Sequence, residues 1–281
     1  MESTKINFKN IPVQAGIISN IIKLEIDSHN CFQELDDLIS SDQGVASLVL
    51  RVVNSPFYSR GNKVITIPFA ISLLGYSVVR ALALLAFSRS LFSHTRDEKF
   101  RLHIWQHSLL TALASQSIYH EFCGLKLSDE AFVAGLMHDT GKVLMFNHNP
   151  AMYQDVFKFS FENNCSSVQA EHHFFGFDHC QAGLEAIKEW KLPDSFKNYM
   201  GVDLSVPPLQ TQVDSVMVSL RSANYLVKAA GIGGNEADDY DLKKSALLGF
   251  GLRADLCDQV LHEQFITSLM ENETYKLCSS I

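Results

Sequence analysis

Apolar residues recur along this chain at the three-to-four spacing of a single helix face, and no segment alternates convincingly as a half-buried strand would. That regularity restricts the fold sharply, because helical stripes can be buried only against other helices. Ile17, Ile18, Ile21 and Ile22 form one stripe, and Phe32, Leu35, Leu38 and Ile39 a second. Val45, Leu48, Val49, Val52 and Val53 form a third, which stops at Asn54-Ser55-Pro56. There the proline disfavours helix in the residue before it, and the Asn and Ser side chains suit a structural corner. The fold class read from the pattern is all-α.

Further helices follow the same rule. Thr66 with Pro68 opens a short one that Gly75 closes, and Ser77 is expected to cap the next, Val78 to Phe92. The pair has the outline of a helix-turn-helix corner. Its second segment is nearly all apolar and offers only Arg80 and Arg89, so we read it as packing rather than DNA recognition. Arg96 to Phe122 spaces Leu102, Trp105, Leu109, Leu113 and Ile118 for burial and carries His103 and His107 four apart, on about one face. Ser128 is expected to cap the helix that leads to His138. Helices at Met152 to Glu162, Ser167 to Phe175 and Asp178 to Trp190 come next, and Pro193 breaks the last. Asp203 to Pro208 reads as a linker, Leu209 to Ala230 as one long helix, and Gly231 to Asp241 as a mobile glycine-rich, acidic loop. Helices around Leu242 to Leu248 and Ala254 to Met270 finish the chain. The expected organisation is a helical domain over residues 11–203 with a C-terminal helical subdomain, residues 204–281, packed on it.

Composition narrows the function classes. A formal charge of -8 over 281 residues argues against a general nucleic-acid or anionic-membrane binder, while leaving room for a local basic pocket. The greasiest region, Ile65 to Phe92, is interrupted by Pro68, Gly75, Arg80 and Arg89, too often for a membrane span. Met1 to Asn10 is polar, and the six cysteines are scattered without a CxxC pair. The expectation is a cytoplasmic protein with reduced thiols.

The stretch richest in chemistry is Ala131 to Lys142, an apolar run that ends in the adjacent pair His138-Asp139 and then Gly141 and Lys142. A neutral imidazole beside a carboxylate can ligate a divalent metal, or the two can satisfy each other at a helix end. Gly141 suits a tight reversal after the helix. Lys142 suits either an anionic group or a helix C-terminus, whose dipole favours cations. The run Glu171-His172-His173 is not read as a metal cluster, because consecutive helical residues diverge by about 100°.

Five spaced motifs, taken together, resemble a known family: Asn54-Ser55-Pro56, Ala70…Leu74-Gly75, Trp105…His107-Ser108, Gly135…His138-Asp139…Gly141-Lys142, and His179…Gly183…Trp190…Leu192-Pro193. The chain resembles the HDOD family, bacterial relatives of the metal-dependent HD phosphohydrolases, over about Ile11 to Asp203. The resemblance implies a compact multi-helix HD-like bundle with a C-terminal helical extension, serving as an output or regulatory module. In catalytic HD relatives a His, the His-Asp pair and a later Asp surround a metal that activates water against a phosphate ester. His107 matches the first His, and His138 and Asp139 match the pair. His179 matches an additional His of cyclic-dinucleotide hydrolases in the wider superfamily.

Two departures follow from the same comparison. The later aspartate falls at Asn224, which is neutral, and the paired histidines that relatives carry after the Trp-x-Leu-Pro segment are absent, since no histidine stands between His179 and His262. The resemblance thus implies at most one divalent ion (Fe, Mn, Mg or Zn) on His107, His138 and Asp139, with His179 a weaker ligand. Lys142 and Glu171 are expected as ligand contacts, and no residue is assigned as catalytic. The implied function is a non-catalytic signal-transduction module that binds a small ligand or a signalling protein in trans. Its rival is a metal-dependent phosphohydrolase or cyclic-nucleotide phosphodiesterase using the same three residues.

Overall fold

The structure, a computed structural model, describes residues 6, 15–24, 30–55, 63–91, 97–123, 129–206, 214–234 and 238–279. Among the described residues every regular element is helical, as the periodicity requires. The first five are α1 (Ala15–Lys23), α2 (Cys31–Ser40), α3 (Gln43–Val53), α4 (Ile67–Leu74) and α5 (Tyr76–Leu91). The middle of the chain gives α6 (Glu98–Cys123), α7 (Asp129–Met137), α8 (Thr140–His148), α9 (Pro150–Asn163), α10 (Ser167–Phe175), α11 (His179–Glu189) and α12 (Lys197–Met200). The remainder forms α13 (Ser215–Ala229), α14 (Tyr240–Gly249), α15 (Ala254–Val260), α16 (Gln264–Glu271) and α17 (Glu273–Cys278).

Local chemistry fixes most of these boundaries. Asp42, Asp214 and Asp239 each accept a first-turn backbone N–H at the start of α3, α13 and α14. Ser166 and Asp178 make reciprocal capping boxes with Gln169 and Gln181. Asn54 holds the expected corner: its Nδ2 donates to the carbonyls of Leu50 and Val64, and its Oδ1 accepts from Val64 N–H at 2.8 Å. Pro56, Arg96, Gly124 and Ser128 lie outside the described residues.

The core is organised on α6, which packs along both α13 and α7, and these two also touch each other. Trp105, Leu109, Leu110, Ala112 and Ala114 on α6 are fully buried. The α6–α7 approach is close enough that a Cβ on Gly135 would sit 2.5 Å from Ala112 Cα, so only glycine allows the two backbones to meet there. Trp105 Nε1 donates to the Cys278 carbonyl at 2.6 Å, which ties α17 to the middle of α6. Around this centre α8 packs on α11, α9 on α10, and α3 on both α4 and α5.

Several expectations are corrected. Ser77 does not cap α5, which already begins at Tyr76, directly after Gly75 with φ of 89°. Gly141 does not make a reversal: it lies in the first turn of α8, where its missing Cβ lets the His179 backbone carbonyl sit against it. Lys142 is likewise at the start of a helix rather than at a C-terminus, and the dipole argument for it fails. Within the stretch read as one helix from Leu209, the described helix is α13 from Ser215, and residues 207–213 lie outside the described residues. The segment from Ala254 to Met270 is divided between α15 and α16. Ile232, in the loop read as mobile, is tied down by a bond from His107.

Candidate metal corner and its pocket

His107 projects from the middle of α6, and His138 and Asp139 occupy the tight corner between α7 and α8. Asn224 faces them from α13, placed there by the α6–α13 packing. All four are buried, with His107 at 0% exposure and Asp139 at 2%. His107 Nε2 lies 3.2 Å from His138 Nε2 and 3.1 Å from Asn224 Oδ1. Asp139 Oδ2 is 3.6 Å from His107 Nε2 and 3.4 Å from His138 Nε2.

The tautomers follow from the partners on the far side of each ring. His107 Nδ1 meets the Ile232 carbonyl at 2.9 Å and His138 Nδ1 meets the Gly135 carbonyl at 2.7 Å. A carbonyl only accepts, so both Nδ1 atoms carry the proton, and in the neutral rings both Nε2 atoms present lone pairs. Burial pushes His107 well below the ordinary imidazole range, which keeps that ring neutral. Two imidazole Nε2 atoms, a carboxylate oxygen and an amide oxygen therefore converge on one point. Backbone carbonyls orienting the outer nitrogens are what metal-ligating histidines usually have. His107, His138 and Asp139 form the described cluster whose ligand atoms fall within 4.8 Å of one another.

The charges around this point are less favourable to a cation. Lys142 Nζ donates to Asp139 Oδ2 at 2.9 Å, the same oxygen that faces the imidazoles. Burial works to raise Asp139, but His138 and Lys142 outweigh it and hold the carboxyl well below the usual carboxylate range. Burial likewise works to lower Lys142, and Asp139 and Glu171 together raise it instead. His179 Nε2 comes within 3.9 Å of Asp139 Oδ1. Its Nδ1 is bound to Glu171 Oε2 at 2.6 Å, and its backbone N–H donates to the same oxygen at 2.9 Å. The other Glu171 oxygen accepts from Tyr153 at 2.6 Å. Burial opposes protonation of His179, yet the Glu171 charge prevails and raises it to about 10. An imidazolium has no lone pair to give a metal.

Glu171 thus stands behind His179 rather than against the His-Asp pair. His172 is bonded to Asp178 at 2.8 Å, and His173 stacks on Phe159, so the run splits as helical geometry demands. His103, one turn before His107 on α6, lines the cavity over the corner and meets Phe157 edge-on. Two contributors have no motif of their own. Tyr153 carries no sequence signal, whereas Lys228 stands four residues after Asn224, one helical turn along α13. The cavity over the corner, about 540 Å³, is lined by His138, Asp139, Lys142, His179, Asn224 and Lys228 among others.

An all-helical bundle with a His, His-Asp and Asn corner defines a protein of the HD type. The family model for the HDOD domain matches residues 11–202, and the chain belongs to that family. It is similar to a crystallised HDOD domain protein of unknown function from Geobacter sulfurreducens, with 22% identity and a TM-score of 0.71 over 94% of this chain and 89% of that one. A Marinobacter aquaeolei protein provisionally described as a signal transduction protein superposes with a TM-score of 0.70 at 19% identity, covering 94% of this chain and 58% of that one. A Shewanella amazonensis protein provisionally described as a phosphohydrolase gives 0.67 at 19% identity over 93% of each. At these identities the likeness speaks to fold alone. An uncharacterised Treponema pallidum protein is 19% identical over 213 residues, 75% of this chain, and the chain spans 41% of that relative's length. Among the described residues no helix is long and apolar enough to cross a membrane.

Proposed function

We propose that this chain is a non-catalytic signal-transduction module, in which the HD-derived corner and the cavity over it bind a ligand or shape a surface for a signalling partner. One observation carries the reading: among the described residues, the one carboxylate reaching both imidazoles is already paired with Lys142, and the group facing them from α13 is the neutral Asn224. Water activation and phosphoryl-charge neutralisation both require a firmly held ion. A firmly held ion usually rests on more anionic donors than one shared carboxylate.

The donor set fits a single divalent ion. His107 Nε2, His138 Nε2 and Asp139 Oδ2 would hold it, with Asn224 Oδ1 beside them. Such an ion would add positive charge to the pocket floor. We place His179 outside the ligand set, because Glu171 keeps it protonated, and among the described residues no second cluster of donors stands here. Residues 11–203 and 204–281 are read as the bundle and a subdomain that completes the pocket by supplying Asn224 and Lys228. The module is read as cytoplasmic, with a partner acting in trans.

The test is turnover. Protein saturated with Mn²⁺ or Fe²⁺ is expected to leave bis(p-nitrophenyl) phosphate intact. Metal-dependent hydrolysis that both His138→Ala and Asp139→Ala abolish would overturn the reading and restore a phosphohydrolase.

A further inference from the structure

Among the described residues, the charged side chains that pair across the pocket leave one partly buried cation unmatched. Lys142 is matched by Asp139 at 2.9 Å, and His179 by Glu171 at 2.6 Å. Among the described residues none stands within ion-pair distance of Lys228, which lines the same cavity. Its stem would be met by a Cβ on Gly234, so the two pack closely. Asp203 also lines the cavity, but its Oδ1 is taken by the Ser205 N–H and hydroxyl. Lys228 is half-buried, and an ammonium partly removed from water without a counter-anion favours an anionic ligand.

Lys228 also stands at a junction. A second cavity of about 730 Å³ adjoins the first, and both are lined by Leu204, Ser205, Asn224 and Lys228. The second is bounded by Tyr225, Leu242, Ala246 and Phe250. Tyr225 and Phe250 meet edge-on with centroids 6.0 Å apart. Asp239 and Asp241 line this cavity as well, but both are exposed to solvent, where their charge is screened. An ammonium between a polar chamber and an apolar, aromatic one suits a molecule built the same way.

Resting on the module reading, we propose that the two chambers form one ligand site for an organic phosphate, its anionic head between Lys228 and Lys142 and its flat apolar body against Tyr225 and Phe250. The head supplies the anion that Lys228 lacks, and two ammonium donors converging on one phosphate make charge-assisted hydrogen bonds. The mutual repulsion of the two lysines is relieved at the same time. Consistent with an unmet cation, burial first and then Lys142 push Lys228 down to about 8.

The probe is 1-naphthyl phosphate, titrated by fluorescence into the full chain after removal of divalent metal, with 1-naphthol and inorganic phosphate as its separated halves. The expected result is saturable one-to-one binding at least tenfold tighter than 1-naphthol, with displacement by inorganic phosphate. Lys228→Met should weaken it at least tenfold while the helical circular-dichroism signal stays unchanged, and Lys228→Arg should restore most of it. Ala246→Phe, which fills the apolar chamber, should weaken 1-naphthyl phosphate and leave inorganic phosphate binding alone. Equal affinity in wild type and folded Lys228→Met, or equal binding of 1-naphthol, would overturn the site. Release of 1-naphthol from the bound ester would instead overturn the non-catalytic reading and leave the binding site standing, so the two failures are distinct.

Discussion

Asn224→Asp restores the charge that the corner lacks, and its consequence can be worked from the geometry. The side-chain oxygen lies 3.1 Å from His107 Nε2 and so beside any ion held by the three ligands. At an effective dielectric of about 20, two unit charges about 4 Å apart interact by about 4 kcal/mol, and a divalent ion roughly doubles that. Metal binding must first displace the proton that a carboxyl group in this buried site tends to hold, which returns several kcal/mol. The remainder, about 1.5–3 kcal/mol, corresponds to a ten- to hundredfold gain in metal affinity. Without metal the same carboxylate is an unpaired buried charge near Asp139, and the fold should lose about 2–4 kcal/mol. The assay is a pair of thermal melts, with chelator and with excess Mn²⁺. The variant should melt several degrees below wild type in chelator, and Mn²⁺ should raise its melting point far more than it raises that of wild type, because binding to the folded state alone adds stability by mass action. Equal Mn²⁺ responses in the two proteins would refute the reasoning, since the ion would then be indifferent to charge at position 224.

Other predictions test the neighbouring contacts. Glu171→Gln leaves His179 without its carboxylate, so burial should win and the ring should titrate below the ordinary imidazole range by NMR rather than near 10; the fold should lose about 3–5 kcal/mol in denaturant melts. Wild-type stability should follow the same pair with pH. The raised His179 contributes fully below about 6.5, its unfolded value, and that contribution is lost as pH rises through about 10, so melts from pH 7 to 10.5 should fall more steeply for wild type than for Glu171→Gln. Gly141→Ala drives a methyl into the His179 carbonyl and should cost about 3 kcal/mol or more, read as a lowered denaturant midpoint. Trp105→Phe keeps a buried ring and leaves the Cys278 carbonyl unmatched, for a loss of about 1–2 kcal/mol.

The helices were legible because burial imposes a period on the sequence, and α3 shows how completely: every residue of its stripe, Val45 to Val53, is buried. The His107, His138 and Asp139 corner was legible through a family resemblance that fixes residue order, which the packing of α6 against α7 then turns into proximity. What escaped was set by contacts between segments distant in sequence. Gly141 reads as a turn residue until the His179 carbonyl is placed against it. Lys142 reads as a helix-end cation until α8 is found to begin at Thr140. Glu171 and His179, eight residues apart, become an ion pair only when α10 and α11 fold back across Gly176, whose φ of 76° makes the turn. Lys228 carried no motif, and its importance comes from which charges around it are already spoken for.

The central claim is that the corner keeps donors for one ion and no more. Native mass spectrometry of the chain saturated with Mn²⁺ counts those ions directly. The account predicts no species above one Mn²⁺ per chain, and none at all when His138 is replaced by Ala. A dominant species carrying two ions, lost on substitution of Asp139, would contradict it.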